Sequence, residues 1–242
     1  MPKIAIPNEE DRTVVIGLTG SGKTFAALWL LALQSIDTMP WIIFDFKRDK
    51  NIAQIPFAEY IGIGTLPDEP GVYIVQPKVT DIPLLNDYLE QIWEHENIGI
   101  YVDEGGMFVK VPAFDNILMQ GRSKHIPVII NVQRPVDVSR YVFSQATFVQ
   151  VFQINDERDQ KIVSAFTPLY KGEYKDAHLP EYHSWWYDVR KRTVTELRPV
   201  PKMSVIMGEF KGKLEYVDEA IPESMDAETV EHPSPDHKIN TL

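Results

Sequence analysis

The run Gly17-Leu18-Thr19-Gly20-Ser21-Gly22-Lys23-Thr24 constrains this chain more than any other stretch of it. It satisfies the pattern G-x-x-x-x-G-K-[ST] at every fixed position. Glycines at such spacing let backbone amides turn inward and line a nest for anionic oxygens. Thr13-Val14-Val15-Ile16 reads as an apolar strand entering the loop, and Phe25 to Ile36 as a helix apolar almost all round. A helix that starts at the loop aims its positive dipole end at the same anion. A bare glycine-rich turn with an exposed lysine would not need that strand and helix around it. Gly17, Thr19, Gly20, Ser21, Gly22, Lys23 and Thr24 are therefore candidate nucleotide-binding residues. Lys23 would reach the β- and γ-phosphates of ATP, and the Thr24 hydroxyl would ligate Mg²⁺.

A triphosphate site that does chemistry also needs a carboxylate for the metal and a group to activate water. Ile98-Gly99-Ile100-Tyr101-Val102-Asp103-Glu104 ends an apolar run in two carboxylates. Ligands of open parallel sheets bind at the carboxyl edge of the strands, where such residues emerge. Asp103 is expected to hold the hydrated metal, and Glu104 to polarise the attacking water as general base. Alone, Asp-Glu after an apolar run is also a common helix cap. The phosphate loop raises the catalytic reading above it.

Further strands are predicted at Trp41–Phe46, Val72–Val75, Val128–Ile130 and Phe148–Phe152. Thr80-Asp81 caps a helix with Pro83 in its first turn and Leu84, Leu85, Tyr88, Leu89, Ile92 and Trp93 along one face. Two more helices are expected around Phe114–Ser123 and Asp137–Gln145. Continuous apolar strands alternating with helices imply an α/β chain, a mostly parallel sheet with helices on both faces. From Tyr182 to Leu197 the pattern changes to a β-hairpin closing at Arg190-Lys191.

Arg122 and the segment Val128-Ile129-Ile130-Asn131-Val132-Gln133-Arg134-Pro135, with Asp137-Val138-Ser139-Arg140 and Phe44-Asp45-Phe46-Lys47-Arg48-Asp49, resemble blocks of the FtsK–HerA superfamily of ring-forming DNA-translocating ATPases. The likeness spans roughly Thr13 to Gln153, with the blocks in family order. It implies a RecA-like P-loop NTPase core. It implies that Gln133 is the sensor contacting the γ-phosphate or its water. Arg122 matches the arginine that family rings present to a neighbouring subunit's nucleotide. One position departs: Val132 stands where the family has a hydroxyl residue. The chain lacks room for the added domains of cellular members, so it resembles the genome-packaging ATPases of tailless, membrane-containing double-stranded DNA viruses, the tectivirus type. That resemblance implies a homo-oligomeric ring, a hexamer, acting with double-stranded DNA and capsid portal or vertex proteins, in the host cytoplasm or at the virion's packaging vertex.

Composition limits the rest. Cysteine is absent, which excludes disulfides and cysteine-ligated metal sites. The net charge is −11, so any DNA contact must come from local basic clusters. Lys47, Arg48 and Lys50 form one candidate loop; Lys110 and Lys124 are single candidates, and solvated surface charge is the competing reading for all five. Residues 218–242 hold seven acidic residues and one basic, with Pro222, Pro233 and Pro235 and no aromatic residue. They are expected to be a flexible acidic tail, or an arm that orders only on a partner, after an ATPase domain at 1–217. The longest apolar run, Phe25 to Leu33, falls short of the ~20 residues that span a bilayer, so no direct membrane insertion is expected. The start, Met1 to Pro7, lacks the apolar stretch of a signal peptide. Two function classes stay open: a DNA-translocating ATPase, and a nucleotide-dependent DNA-binding or scaffold switch with little turnover. Trp185, Trp186 and Tyr187 suit a buried hairpin better than base stacking.

Overall fold

A computed structural model describes residues 4–175 and 178–220, with residues 216–220 described by their backbone alone. Among the described residues nine strands form one sheet: β1 (Arg12–Ile16), β2 (Pro40–Phe44), β3 (Glu59–Tyr60), β4 (Gly71–Val75), β5 (Gly99–Val102), β6 (Val128–Val132), β7 (Phe148–Val151), β8 (Ser184–Asp188) and β9 (Thr193–Leu197). Their spatial order is β3-β4-β2-β5-β6-β1-β7-β8-β9. The first seven run parallel, and β8 and β9 extend the edge antiparallel as the expected hairpin. The chain is an α/β P-loop NTPase core with that hairpin appended.

The strands alternate between two buried faces, as a sheet covered on both sides must. Val14, Ile16, Ile42 and Phe44 join a core with α2 (Ile82–His95), α3 (Pro112–Gln120), α4 (Arg140–Ser144) and α5 (Glu157–Phe166). Val15, Trp41, Ile43 and Ile129 face the other way, against α1 (Lys23–Ala32) and α6 (Met203–Ala220). Trp186 stacks on Phe148 at 5.0 Å between ring centroids and Tyr187 is buried, so these hairpin aromatics are core residues.

Two helices were not expected. α5 begins at Asp156, whose carboxylate accepts from the backbone N–H of Arg158 and Asp159; such a capped start is legible in Asp156-Glu157. α6 buries Ile206, Phe210 and Leu214, four residues apart, against α1. It runs through Ala220, so the first three residues of the expected tail, Asp218 to Ala220, continue a helix. Residues 221–242 lie outside the described residues.

Register decides where the chemistry sits. Ile16 is level with Val132 and Val151, Val102 with Ile130 and with Phe44. The residues just past these strands therefore emerge together at the carboxyl edge, Asp45 and Asp103 level with Asn131, and Gln133, the phosphate loop and Phe152 two residues further on. Backbone bonds hold this edge one residue further, from Gly17 N–H to Val132 C=O at 3.1 Å, Asp103 to Phe44 at 3.2 Å and Phe152 to Ile16 at 2.8 Å.

Candidate active site

The phosphate loop joins β1 to α1 without a side-chain cap on the helix, so the first amides of α1 stay available to an anion. Gly20 and Gly22 have φ of 81° and 97°, conformations open to glycine and costly to other residues. A Cβ on Gly17 would overlap Ser21 Oγ and lie 2.9 Å from Phe152 Cβ. Ser21 Oγ itself is buried and has no hydrogen-bond partner among the described residues. An orphaned hydroxyl inside an amide-lined loop fits a phosphate oxygen.

Lys23 is 8% exposed and its Nζ donates to Leu18 C=O at 3.4 Å. Burial lowers its pKa, with repulsion from Lys47 adding to the effect and Glu104, Asp103 and Asp49 opposing it. These five groups share one electrostatic site. Thr24 opens the second position of α1 with its hydroxyl bonded to no described residue.

Asp103 follows β5 and is 4% exposed. Its Oδ1 accepts from Tyr101 Oη and from Asn131 Nδ2, both at 3.1 Å, while Asn131 also donates to Tyr101 at 2.9 Å. Tyr101 lies two residues back on β5, so strand pleating aims both side chains to one face. Asn131 meets them from β6. Burial raises the Asp103 pKa, opposed by the two hydrogen bonds. The triad fixes one carboxylate oxygen and leaves Oδ2 without a described protein donor. Asn131 and Tyr101 were not foreseen; the signal was a polar residue inside an otherwise apolar strand.

Glu104 comes next and its Oε2 is ion-paired with Lys47 Nζ. Gln133 follows β6 at the same edge. The neighbouring Arg134 is held by Asp156 at 3.4 Å and by the buried Asp159 at 3.3 Å, a local structural role. Asp45, at the end of β2, accepts from Asp49 N–H at 2.9 Å and Gln76 Nε2 at 3.0 Å, which fixes the loop carrying Lys47 and Arg48.

Arg122 is not brought to this edge. It sits in a 3₁₀ turn that leads into β6, and its Nε donates to Glu10 at 3.2 Å just ahead of β1. Both residues lie at the amino edge of the sheet. Lys124 shares that edge, paired with Glu96 and lying 4.8 Å over the Trp93 ring.

Beside the phosphate loop opens a pocket of about 510 Å³. Gly20 and Gly22 to Phe25 form one wall; Phe152, Tyr182 and Pro199 to Lys202 form the other, with Asn51 at its rim. The second wall was missed. Tyr182 precedes β8 and Pro199–Lys202 links β9 to α6, so only the closed sheet brings them to the loop. Among the described residues, no cluster of three or more His, Cys, Asp or Glu side chains is arranged to hold a metal.

No protein-family model matches the chain. It is 36% identical over 219 residues to DNA packaging ATPase P9 of Enterobacteria phage PRD1, across 86% of this chain and 95% of that protein. Its fold matches the genome packaging NTPase B204 of Sulfolobus turreted icosahedral virus 2, with TM-scores of 0.64 for the sulfate complex and 0.62 for the AMPPCP complex. Identity there is 20% and 19%, over 81% and 80% of this chain and all of B204. The second and third ATPases of EssC from Geobacillus thermodenitrificans give a TM-score of 0.59 at 14% identity, over 88% of this chain and 45% of that one. Given its identity to P9 over nearly the whole of both chains, this chain belongs to the family of viral DNA packaging ATPases.

Proposed function

We propose that this chain hydrolyses ATP and uses the cycle to drive double-stranded DNA into a preformed viral capsid. The observation that carries the reading is the carboxyl edge of the sheet, where a phosphate loop, a buried carboxylate and a second carboxylate emerge from neighbouring parallel strands within two residues of register.

The loop amides and Lys23 bind the β- and γ-phosphoryl oxygens, and Ser21 Oγ gains an acceptor there. Phe152, Tyr182 and the Pro199–Pro201 segment offer an apolar chamber to the base, next to the charged end. Thr24 and Asp103 fit Mg²⁺: two oxygen ligands with free lone pairs, for a cation that takes its remaining ligands from phosphate and water. When bound, the ion neutralises charge on the transferring group. Tyr101 and Asn131 hold the Asp103 carboxylate in one orientation. Glu104 accepts a proton from the attacking water, and Gln133 orients that water.

Arg122 cannot serve its own loop, because about five residues of strand, ~16 Å, lie between the two edges. It acts on the nucleotide of the next subunit in a ring, a hexamer, where charge on the transferring phosphoryl group needs a cation. The ring meets capsid portal or vertex proteins at the packaging vertex, where its cycle is used; before that it resides in the host cytoplasm.

Phosphate release by the full chain, with and without duplex DNA, tests this. DNA should stimulate it, and Lys23→Ala or Glu104→Gln should abolish it. Equal release with and without DNA would refute translocation, and a Glu104→Gln variant that keeps its turnover would refute Glu104 as base. Mixed rings of Arg122→Ala and Glu104→Gln subunits should regain part of the activity; no recovery at any ratio refutes action across the boundary.

A further inference from the structure

Arg12 opens β1 and is only 4% exposed. Its guanidinium donates to two carbonyls, Glu10 C=O at 3.2 Å and Ile117 C=O at 3.3 Å in the last turns of α3. Its Nε is buried and has no partner among the described residues. Two carboxylates adjoin it in sequence, and other arginines hold both: Glu10 pairs with Arg122, and Asp11 with Arg190. A buried cation whose neighbouring carboxylates are engaged elsewhere costs the fold stability, and an apolar side chain of similar volume would fill the space without that cost. The charge therefore has a use other than stability.

What the guanidinium lies against is the turn that carries Arg122. It ties the entry of β1 to the end of α3, and the turn Gly121–Lys124 follows α3 directly. A Cβ on Gly121 would lie 3.6 Å from Arg12 Nη2 and 3.3 Å from Ile126 Cβ, so the turn rests on both. Burial lowers the Arg12 pKa, repulsion from Arg122 adds to that, and Asp11 and Glu10 oppose it. The far side of the turn is fixed too. Lys124 C=O accepts from Asn97 N–H at 2.9 Å, and the Lys124 ammonium is paired with Glu96. What can move is the Arg122 side chain, more than half exposed. The end of a helix presents unpaired carbonyls and the negative end of its dipole, and a cation just past it is drawn back onto them. Arg12 already occupies one of these carbonyls and sets a positive charge beneath the turn.

We propose that Arg12 is a positioning residue for Arg122: its buried charge and its bond to Ile117 C=O deny Arg122 the end of α3 and keep it extended over Glu10, ready for the phosphoryl group of a neighbouring copy. The proposal rests on Arg122 acting across the subunit boundary. An arginine already extended loses less side-chain freedom on meeting its target. A displacement of about 1 Å at such a group can cost ~10²-fold in rate.

The test is steady-state phosphate release by the full chain with duplex DNA, at saturating and limiting ATP. Arg12→Met fills the same space without charge. It should lower kcat about 10- to 100-fold and leave the ATP KM unchanged, because its own phosphate loop lies at the opposite edge. Arg12→Lys, which keeps the charge, should restore most of the kcat. Combined with Arg122→Ala, Arg12→Met should cost nothing further, since both changes remove one interaction. Mixed rings of Arg12→Met and Glu104→Gln subunits should regain part of the turnover. A parental kcat in Arg12→Met, or losses that multiply in the double variant, would overturn the proposal. Thermal unfolding reads the fold separately: Arg12→Met should melt close to the parent, and a chain that no longer folds would overturn the proposal by making the charge structural. Mixtures with Glu104→Gln separate the two readings. No recovery with Arg12→Met, alongside recovery with Arg122→Ala, removes the positioning role alone; no recovery with either removes the action across the boundary on which it rests.

Discussion

Asp103→Asn should make the nucleotide-free protein more stable while disabling it. The carboxylate is almost wholly buried, and its two hydrogen bonds come from neutral donors. Among the described residues no cation is in salt-bridge contact with it, since the nearby Lys47 is paired to Glu104. Burial is the largest influence on it and favours the neutral form. Asparagine keeps the accepting Oδ1 in place for Tyr101 and Asn131, removes the charge, and turns Oδ2 into an amide facing the open site. Relief of strain of this kind at a functional site is worth ~1–2 kcal/mol. For a chain of this length each kcal/mol moves Tm by about 2–4 °C, so a rise of about 2–8 °C is expected. Thermal unfolding in chelator without nucleotide reads this directly. Hydrolysis should fall in the same variant by at least ~10²-fold, the scale of removing one preorganised electrostatic group from a transition state. A Tm lowered by several degrees, with the folded spectrum intact, would refute the claim that the charge is held at a cost. Undiminished phosphate release would refute its place in the chemistry.

Tyr182→Ala tests the nucleoside wall. Tyr182 is half exposed, so stability should barely change, while loss of a stacking partner worth ~0.5–1.5 kcal/mol should raise the ATP KM about 2- to 12-fold with kcat held; an unchanged KM would exclude the ring from the base. Far from the site, His95 is hydrogen-bonded to Asp68 at 2.9 Å, and this bond raises its pKa. A raised pKa contributes stability in full below the unfolded value of about 6.5 and loses it as pH rises through the folded value. His95→Gln should therefore lower Tm at about pH 5.5 and match the parent at about pH 9; an equal deficit at both would show a contact that does not depend on charge.

The parts of the site that are legible in the sequence are those made by consecutive residues or by strand ends. The phosphate loop is eight neighbours in a row, and its flanking strand and helix are apolar runs of distinct period. Asp103 and Glu104 are legible because parallel strands of similar length end at one edge, so a polar residue after an apolar run falls there, whereas Gln133 is singled out by the family resemblance alone. Tyr101 and Asn131 escaped this reading because they lie inside strands, where only the pairing of β5 with β6 shows that they meet Asp103. Tyr182 and Pro199–Lys202 escaped it because they flank a hairpin whose antiparallel docking on β7 swings them over a loop far away in sequence. The helix α6 is a milder case, since Ile206, Phe210 and Leu214 carry the spacing of a buried face.

The same register that gathers the carboxyl-edge residues also separates Arg122 from them, and the separation has a consequence for assembly. Turns entering parallel strands lie at the amino edge, turns leaving them at the carboxyl edge, and no side chain spans the strands between. An arginine anchored by Glu10 at the entry to β1 can meet a phosphoryl group only if another copy presents its carboxyl edge there. Such an interface joins two different surfaces and is heterologous, so repeating it produces either a closed ring or an open filament. The proposed packaging motor takes the closed form. On that proposal the Glu10–Arg122 pair opens as the subunits meet. Both partners are substantially exposed, and an exposed pair of this kind contributes ~0–1 kcal/mol, little enough for a triphosphate across the boundary to outcompete it.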